Sequence, residues 1–351
     1  MDKEIKIGSR IISQNSPAYV VAEMSGNHNG DFKRAVKIIE AAKEAGADAV
    51  KSQTYTADTI TLDCNSPYFQ ITQGTLWDGI TLHNLYEKAY TPWEWQPKLK
   101  EIANDFGMDF FSAPFDFSSV DFLEGMDVPA YKIASFEITD IPLIKKVASK
   151  GKPIFISTGV AKISDIELAA ETCQKAGNSQ VIFLKCCSAY PAPYEAVNLK
   201  NMCSLAETFD CIVGLSDHTM GSAVASASIA FGGKVVEKHL TLCRAEGGVD
   251  AAFSMEPEEF KKMVEEIRIV EKAMGRAIYE LSPMQEGELE HVRSLFVAVD
   301  MKEGEVFTPS NLRSVRPGFG LHPKYYEELL GKKASRDIPM GTPMNWELVK
   351  Y

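Results

Sequence analysis

Val213-Gly214-Leu215-Ser216-Asp217-His218 is followed, after a short helical stretch, by Val235-Val236-Glu237-Lys238-His239. Each is a run of β-forming residues that ends in polar side chains and a histidine. Alternate residues of an extended strand share a face, so Gly214, Ser216 and His218 point one way in the first run. Val235, Glu237 and His239 do the same in the second. If the two runs are neighbouring parallel strands, both imidazoles stand at one end and can converge on one ion. Two imidazoles with open coordination positions are what a catalytic metal needs. A single strand-end histidine is more often structural, so the pair is weighed against the rest of the chain.

Outward from this pair the chain alternates strand and helix. Eight units begin near residues 19, 48, 109, 131, 153, 181, 211 and 234. Helical stripes run through Phe32, Ala35, Val36, Ile39 and Ala42, closed by Gly46, and through Phe260, Met263, Val264, Ile267 and Val270 after Pro257. Thr91-Pro92-Trp93-Glu94 reads as a capping box opening a helix, and Ser164 with Glu167 as another. Residues 55 to 90 form a long insertion after the second strand. This spacing fits a (β/α)8 TIM barrel over residues 1–275 better than an open doubly wound sheet. No G-x-G-x-x-G follows any strand, which weakens a dinucleotide-binding reading. Residues 276–290 read as a polar linker and 291–351 as a small second unit. Within that unit Asp300-Met301-Lys302-Glu303-Gly304 is echoed by Asp337-Ile338-Pro339-Met340-Gly341, which predicts two similar halves.

Composition narrows the class. A net charge of −11 in 351 residues argues against nucleic acid or anionic membrane as a partner. No apolar run is long enough for a membrane span, and Met1-Asp2-Lys3-Glu4 lacks the basic start of a signal peptide. Seven cysteines without zinc-like spacing predict reduced thiols in the cytoplasm.

In such a barrel, chemistry gathers at the C-terminal strand ends. Those ends carry Glu23, Lys51, Gln53, Ser112, Lys132, Ser135, Glu137 and Ser157, then Lys185, Ser188, Tyr190, Ser216, Asp217, His218 and His239. An ammonium is costly to desolvate without an anion. Lys51, Lys132 and Lys185 on strands two, four and six therefore either pair with Glu23, Glu137 or Glu237, or hold an anionic ligand. The adjacent serines favour phosphate. With a histidine-bound metal and Glu137 or Glu23 as acid/base, the set suits joining a carbonyl to a phosphorylated nucleophile. A lysine-imine aldolase with Lys132 or Lys185 as nucleophile is the competing reading, but does not need the histidine pair. Asp217 points away from His218 by strand parity and suits an orienting role.

At this point the residues are recognisable. Ala22-Glu23 with Asn27-His28-x-Gly30, Gly46-Ala47-Asp48-Ala49-Val50-Lys51-x-Gln53-Thr54 and Tyr131-Lys132-Ile133-Ala134-Ser135-x-Glu137 occur in order. So do Ser157-Thr158-Gly159, Tyr190-Pro191, Gly214-Leu215-Ser216-Asp217-His218 and Glu237-Lys238-His239. The chain resembles the sialic acid synthase family of nonulosonic acid synthases over nearly its whole length. That resemblance implies a (β/α)8 barrel followed by an antifreeze-like (SAF) domain. It also implies condensation of phosphoenolpyruvate with an open-chain acetamido sugar, with phosphate released by C–O cleavage. His218 and His239 are then ligands of Mn²⁺ or Mg²⁺. Lys51, Lys132, Ser135, Ser157, Ser188 and Ser216 hold phosphoenolpyruvate, Glu137 and Glu23 are the acid/base pair, and Gln53, Tyr190 and Asp250 contact the sugar. Arg316 resembles an arginine offered by the SAF domain of one subunit to its partner's site, which implies a homodimer with that domain as a lid. Ser188 and Ala113 stand where many members have Asn and Thr.

Gly74-Thr75-Leu76-Trp77-Asp78 with Leu85-Tyr86, and Arg316 to Tyr325, resemble one branch of the family whose acceptor is 2,4-diacetamido-2,4,6-trideoxy-L-altrose. Trp77 is expected near the 6-deoxy methyl group. Synthesis of N-acetylneuraminate or legionaminate is the alternative within the family. A carbohydrate- or ice-binding protein built on the C-terminal unit is the alternative outside it.

Overall fold

Eight buried runs form parallel strands: β1 Tyr19–Glu23, β2 Ala49–Thr54, β3 Asp109–Pro114, β4 Tyr131–Ile133, β5 Ile154–Ser157, β6 Val181–Cys186, β7 Ile212–Asp217 and β8 Gly233–His239. They close into a barrel in which β8 pairs with β1, in a computed structural model describing residues 1–350 except 73 and 75. The intervening helices are α1 Phe32–Glu44, α2 Gln96–Asp105, α3 Phe117–Gly125, α4 Ile141–Ala148, α5 Ile163–Lys175, α6 Asn201–Phe209, α7 Ala223–Ala230 and α8 Pro257–Met274. Both faces of each strand are covered, so the runs are apolar rather than alternating. The barrel expectation holds, with strand starts within a residue of those read from the sequence.

Local sequence explains most of the helices. The Asp31 carboxylate accepts the Lys33 N–H at 2.8 Å to start α1, and Gly46 at φ +84° follows its end. Helix α8 buries Phe260, Met263, Val264 and Ile267, the face its spacing predicts. Two expected starts move. Helix α2 begins at Gln96 after a tight turn over Trp93–Trp95, because the buried Thr91 hydroxyl bonds His28 Nε2 at 3.1 Å instead of capping. Helix α5 begins at Ile163, where Asp165 rather than Glu167 accepts the Lys162 N–H at 2.8 Å. The 55–90 insertion is partly helical, over Ala57–Ile60 and Leu82–Ala89.

Side chains alternate inward and outward along the strands. Low in the barrel, Phe155 stacks on Tyr19 and Phe111, with ring centroids 6.3 and 5.1 Å apart. A hairpin of Glu4–Ile7 and Arg10–Ser13 adds Ile5, Ile7 and Ile12 to this core, an element the sequence reading passed over. Its Arg10 lies 3.2 Å from Asp48 and 3.6 Å from Asp109. Above this apolar layer the inward positions carry the polar side chains of the cavity.

The chain divides into compact units Met1–Gly275 and Arg276–Tyr351. Residues 276–290, expected as a linker, include a helix over Pro283–Gly287. In the second unit the echoed halves pair with each other. Met301 and Ile338 exchange backbone hydrogen bonds of 2.9 Å each way. Asp300 then accepts the Met340 N–H at 2.7 Å and Asp337 the Glu303 N–H at 2.9 Å. Leu295, Val297, Phe307, Leu312 and Met344 fill its own core.

Candidate active site

The inward residues of the upper layer open on a cavity of about 360 Å³. Glu23, Lys51, Gln53, Lys132, Ser135, Glu137 and Ser157 line it, with Ser188, Tyr190, Ser216, His218, His239 and Asp250 completing the ring. The sequence had singled out all of these. Arg316, also singled out, is an exposed residue of the second unit.

At the base of the cavity lies an ion cluster. Lys51 Nζ is 2.6 Å from Glu23 Oε2 and 3.5 Å from Glu237 Oε1. The same Glu237 oxygen accepts from Lys132 and from the Ser216 hydroxyl, each at 3.3 Å. Burial opposes the Lys51 ammonium, yet the two glutamates outweigh it and raise its pKa. Burial lowers that of Lys132, against the pull of Glu237. Glu237 itself is held down, because the lysines overcome the effect of burial. Glu237 was read from the sequence only as a salt-bridge partner, although its parity with His239 already placed it on the cavity face.

The serines form a second group. Ser188 donates to Ser135 Oγ at 2.8 Å, and that oxygen accepts the Val160 N–H at 3.2 Å. Gly159 makes room for them, since a Cβ there would fall on both hydroxyls. Ser157 Oγ, Glu137 Oε2 and His239 Nδ1 are buried with no hydrogen-bond partner among the described residues. Buried polar atoms are ordinarily satisfied, and three orphans around one cavity mark where a ligand would supply the partners. Burial raises Glu137 to about 7. It also raises Glu23, which Gln53 Nε2 reaches at 2.9 Å.

The His218 and His239 ring centroids are 5.3 Å apart. His218 Nδ1 is 3.0 Å from the Cys187 carbonyl, which can only accept, so Nδ1 carries the proton and Nε2 keeps its lone pair. Burial lowers both pKa values, His239 well below the ordinary range, and the rings are neutral as metal ligation requires. Asp250 Oδ2 lies 3.9 Å from His239 Nδ1. Among the described residues no group of three or more His, Cys, Asp or Glu side chains is arranged to hold a metal. Two neutral imidazoles, one with an unpartnered buried nitrogen, fit a divalent ion whose other positions go to substrate or water.

Two expectations change. Lys185 alternates with the cavity-lining Cys186 and does not line the cavity; its Nζ donates to the Cys186 carbonyl at 2.5 Å. Ser112 belongs to a buried network outside the cavity, 3.0 Å from Ser52 Oγ and 2.6 Å from Thr54 Oγ1. Asp217 keeps the outward direction that strand parity gave it: it bonds Lys238 at 2.6 Å, and the Cys187 carbonyl meets the His218 ring nitrogen. Aromatic residues the sequence did not flag, Tyr55, Phe115 and Phe253, complete the wall. From the insertion, Trp77 lines the cavity 5.9 Å from the Tyr190 ring, and its Nε1 donates to the Val249 carbonyl at 3.1 Å. Thr75, in the same branch-specific stretch, lies outside the described residues.

A closed barrel of eight parallel strands with this strand-end cavity defines an enzyme of the (β/α)8 class. The chain belongs to the NeuB family, whose profile matches residues 38–279, and an SAF domain matches residues 292–350. It is 44% identical over 323 residues to a pseudaminic acid synthase of Campylobacter jejuni, covering 92% of this chain and 94% of that protein. It is 43% identical to the pseudaminic acid synthase of Helicobacter pylori, covering 94% and 97%. The crystal structure of an N-acetylneuraminic acid synthetase from Leptospira borgpetersenii superposes with a TM-score of 0.72 at 30% identity, covering 82% of this chain and 95% of that one.

Proposed function

We propose that this enzyme makes pseudaminic acid by condensing phosphoenolpyruvate with 2,4-diacetamido-2,4,6-trideoxy-L-altrose and releasing phosphate. The convergence of Lys51, Lys132, the serines and the histidine pair on one cavity carries this reading. Lys51, Lys132, Ser135, Ser157, Ser188 and Ser216 hold the enol phosphate, with the free Ser157 hydroxyl turned to it. Gln53, Tyr190 and Asp250 hold the sugar. His218 and His239 hold a divalent ion, Mn²⁺ or Mg²⁺, which supplies Lewis acidity at the aldehyde.

C3 of the enol phosphate bonds to C1 of the sugar, and the aldehyde oxygen takes a proton. The buried Glu23–Lys51 pair, whose oxygen and nitrogen share a proton 2.6 Å apart, is placed to supply it, with Gln53 holding the other Glu23 oxygen at 2.9 Å. Water adds at C2 and gives its proton to Glu137, whose pKa of about 7 suits a base at neutral pH. The tetrahedral centre then breaks its C–O bond to phosphate and leaves the 2-keto acid.

The 6-deoxy sugar is favoured over N-acetylmannosamine by the apolar faces of Trp77, Leu85 and Phe115, which offer a methyl group cover. Arg316 completes the site from a second subunit. Exposed Phe117, Phe136, Val160, Tyr194 and Met220, one after each of β3 to β7, support a covered mouth. No helix among the described residues is long and apolar enough to cross a membrane, and the enzyme works on soluble substrates in the cytoplasm.

Phosphate release across a panel of the altrose derivative, N-acetylmannosamine and the legionaminate precursor tests the assignment. The altrose derivative is turned over and chelator stops it. Borohydride with substrate leaves activity intact, where an imine aldolase would be trapped. Turnover of N-acetylmannosamine alone would overturn the sugar assignment.

A further inference from the structure

Behind the histidine wall stands a buried ion pair that the chemistry above does not use. Asp217 and Lys238 are cross-strand neighbours in the β7–β8 register, and each side chain is 1% exposed. They alternate with Ser216 and Glu237 and so face away from the cavity. Lys238 Nζ donates to Asp217 Oδ2 and to the Thr219 carbonyl, both at 2.6 Å. Asp217 in turn accepts the Thr219 N–H at 2.9 Å and its hydroxyl at 3.1 Å. His218 is therefore flanked on both sides, at 217 and 219, by groups tied to Lys238. One peptide bond joins Lys238 to His239.

The geometry points to Asp217 and Lys238 as positioning residues that set the separation of the two imidazoles, an inference resting on the reading of His218 and His239 as ligands of a divalent ion. The His218 carbonyl also accepts the Ala192 N–H at 2.9 Å, which ties this turn to the loop after β6. Beyond the β7–β8 backbone ladder, the Lys238 side chain ties it to the strand end that carries the other histidine. Stability alone does not account for such a pair. Desolvation offsets much of its attraction, and apolar residues of similar volume commonly serve as well. An ammonium with directed donors to two residues of one turn admits few placements, whereas an apolar contact leaves the turn free to shift. Histidine ligands that must meet one ion need the former.

Titration of metal-free protein with Mn²⁺ alone, reading free Mn²⁺ by electron paramagnetic resonance, tests this without any turnover. The parent binds one ion tightly, and His218→Ala and His239→Ala each remove that site. The double variant Asp217→Asn/Lys238→Met keeps an acceptor for Thr219 but loses the bridge. It folds with a cooperative melt and binds Mn²⁺ about 10- to 100-fold more weakly. Lys238→Arg, which keeps the charge but not the compact donor head, loses affinity in the same direction and serves as the readout if the double variant does not fold. Folded bridge variants with parental affinity, beside histidine variants that lose the site, overturn the positioning role alone. Parental binding by His239→Ala overturns the ligand assignment and this inference with it.

Discussion

The Glu237 carboxylate lies 3.3 Å from the Lys132 ammonium inside the barrel, with both side chains buried. Because the same oxygen also faces Lys51 at 3.5 Å, one carboxylate keeps two cations charged at the base of the cavity. Without it, burial acts on Lys132 nearly unopposed and its pKa, already lowered, falls further. In Glu237→Gln the lysine loses its proton as pH rises through that lower value. KM for phosphoenolpyruvate then climbs by about tenfold or more over the range in which the lysine loses its proton, a range that lies lower than in the parent. Steady-state kinetics across that range decide it, and a flat profile for the variant would refute the role of Glu237.

Removing either imidazole, by His218→Ala or His239→Ala, lowers kcat by about 10³-fold or more, in keeping with several kcal/mol of Lewis-acid stabilisation. The barrel still folds. Turnover and metal content are measured together, and wild-type values of both in His239→Ala would contradict the assignment.

Glu137 acts as a base only when ionised. Burial sets its pKa at about 7, so the rate falls as pH drops through that value and levels off above it. Glu137→Gln removes this limb and costs about 10² to 10⁴ in kcat. A pH–rate profile in which the limb survives the substitution would assign the proton transfer elsewhere.

Trp77→Ala opens the wall beside Tyr190. The preference for a 6-deoxy over a 6-hydroxy sugar narrows by about 10-fold, the scale of one methyl-sized contact. KM for phosphoenolpyruvate stays put. Competition between the two sugars reads the ratio directly.

Arg316→Ala raises KM for the sugar by about 10-fold with the barrel intact, as loss of a charge-assisted hydrogen bond does. If, as proposed, the arginine acts across a dimer, mixing with His239→Ala subunits restores activity, because a hybrid would have one site with a native histidine pair and a native arginine. Absence of rescue would place Arg316 in its own subunit's site or outside any.

The sequence by itself determined the barrel, its register of inward residues and most of the site. Short β-forming runs and capped helices are local signals, and strand parity projects Lys51, Lys132, His218 and His239 to one face without knowledge of what lies opposite. Tertiary structure alone decided which charges meet. Glu237 lies on β8 and Lys132 on β4, across the barrel from one another, and no spacing along the chain reveals a distance across its lumen. Ser112 and Lys185 were misplaced because parity says only that neighbouring residues oppose each other; which face looks into the barrel is fixed when the sheet closes. The capping hydroxyl of Thr91 was taken by His28, 63 residues away, and such competition between local and distant partners is settled only when the chain is folded.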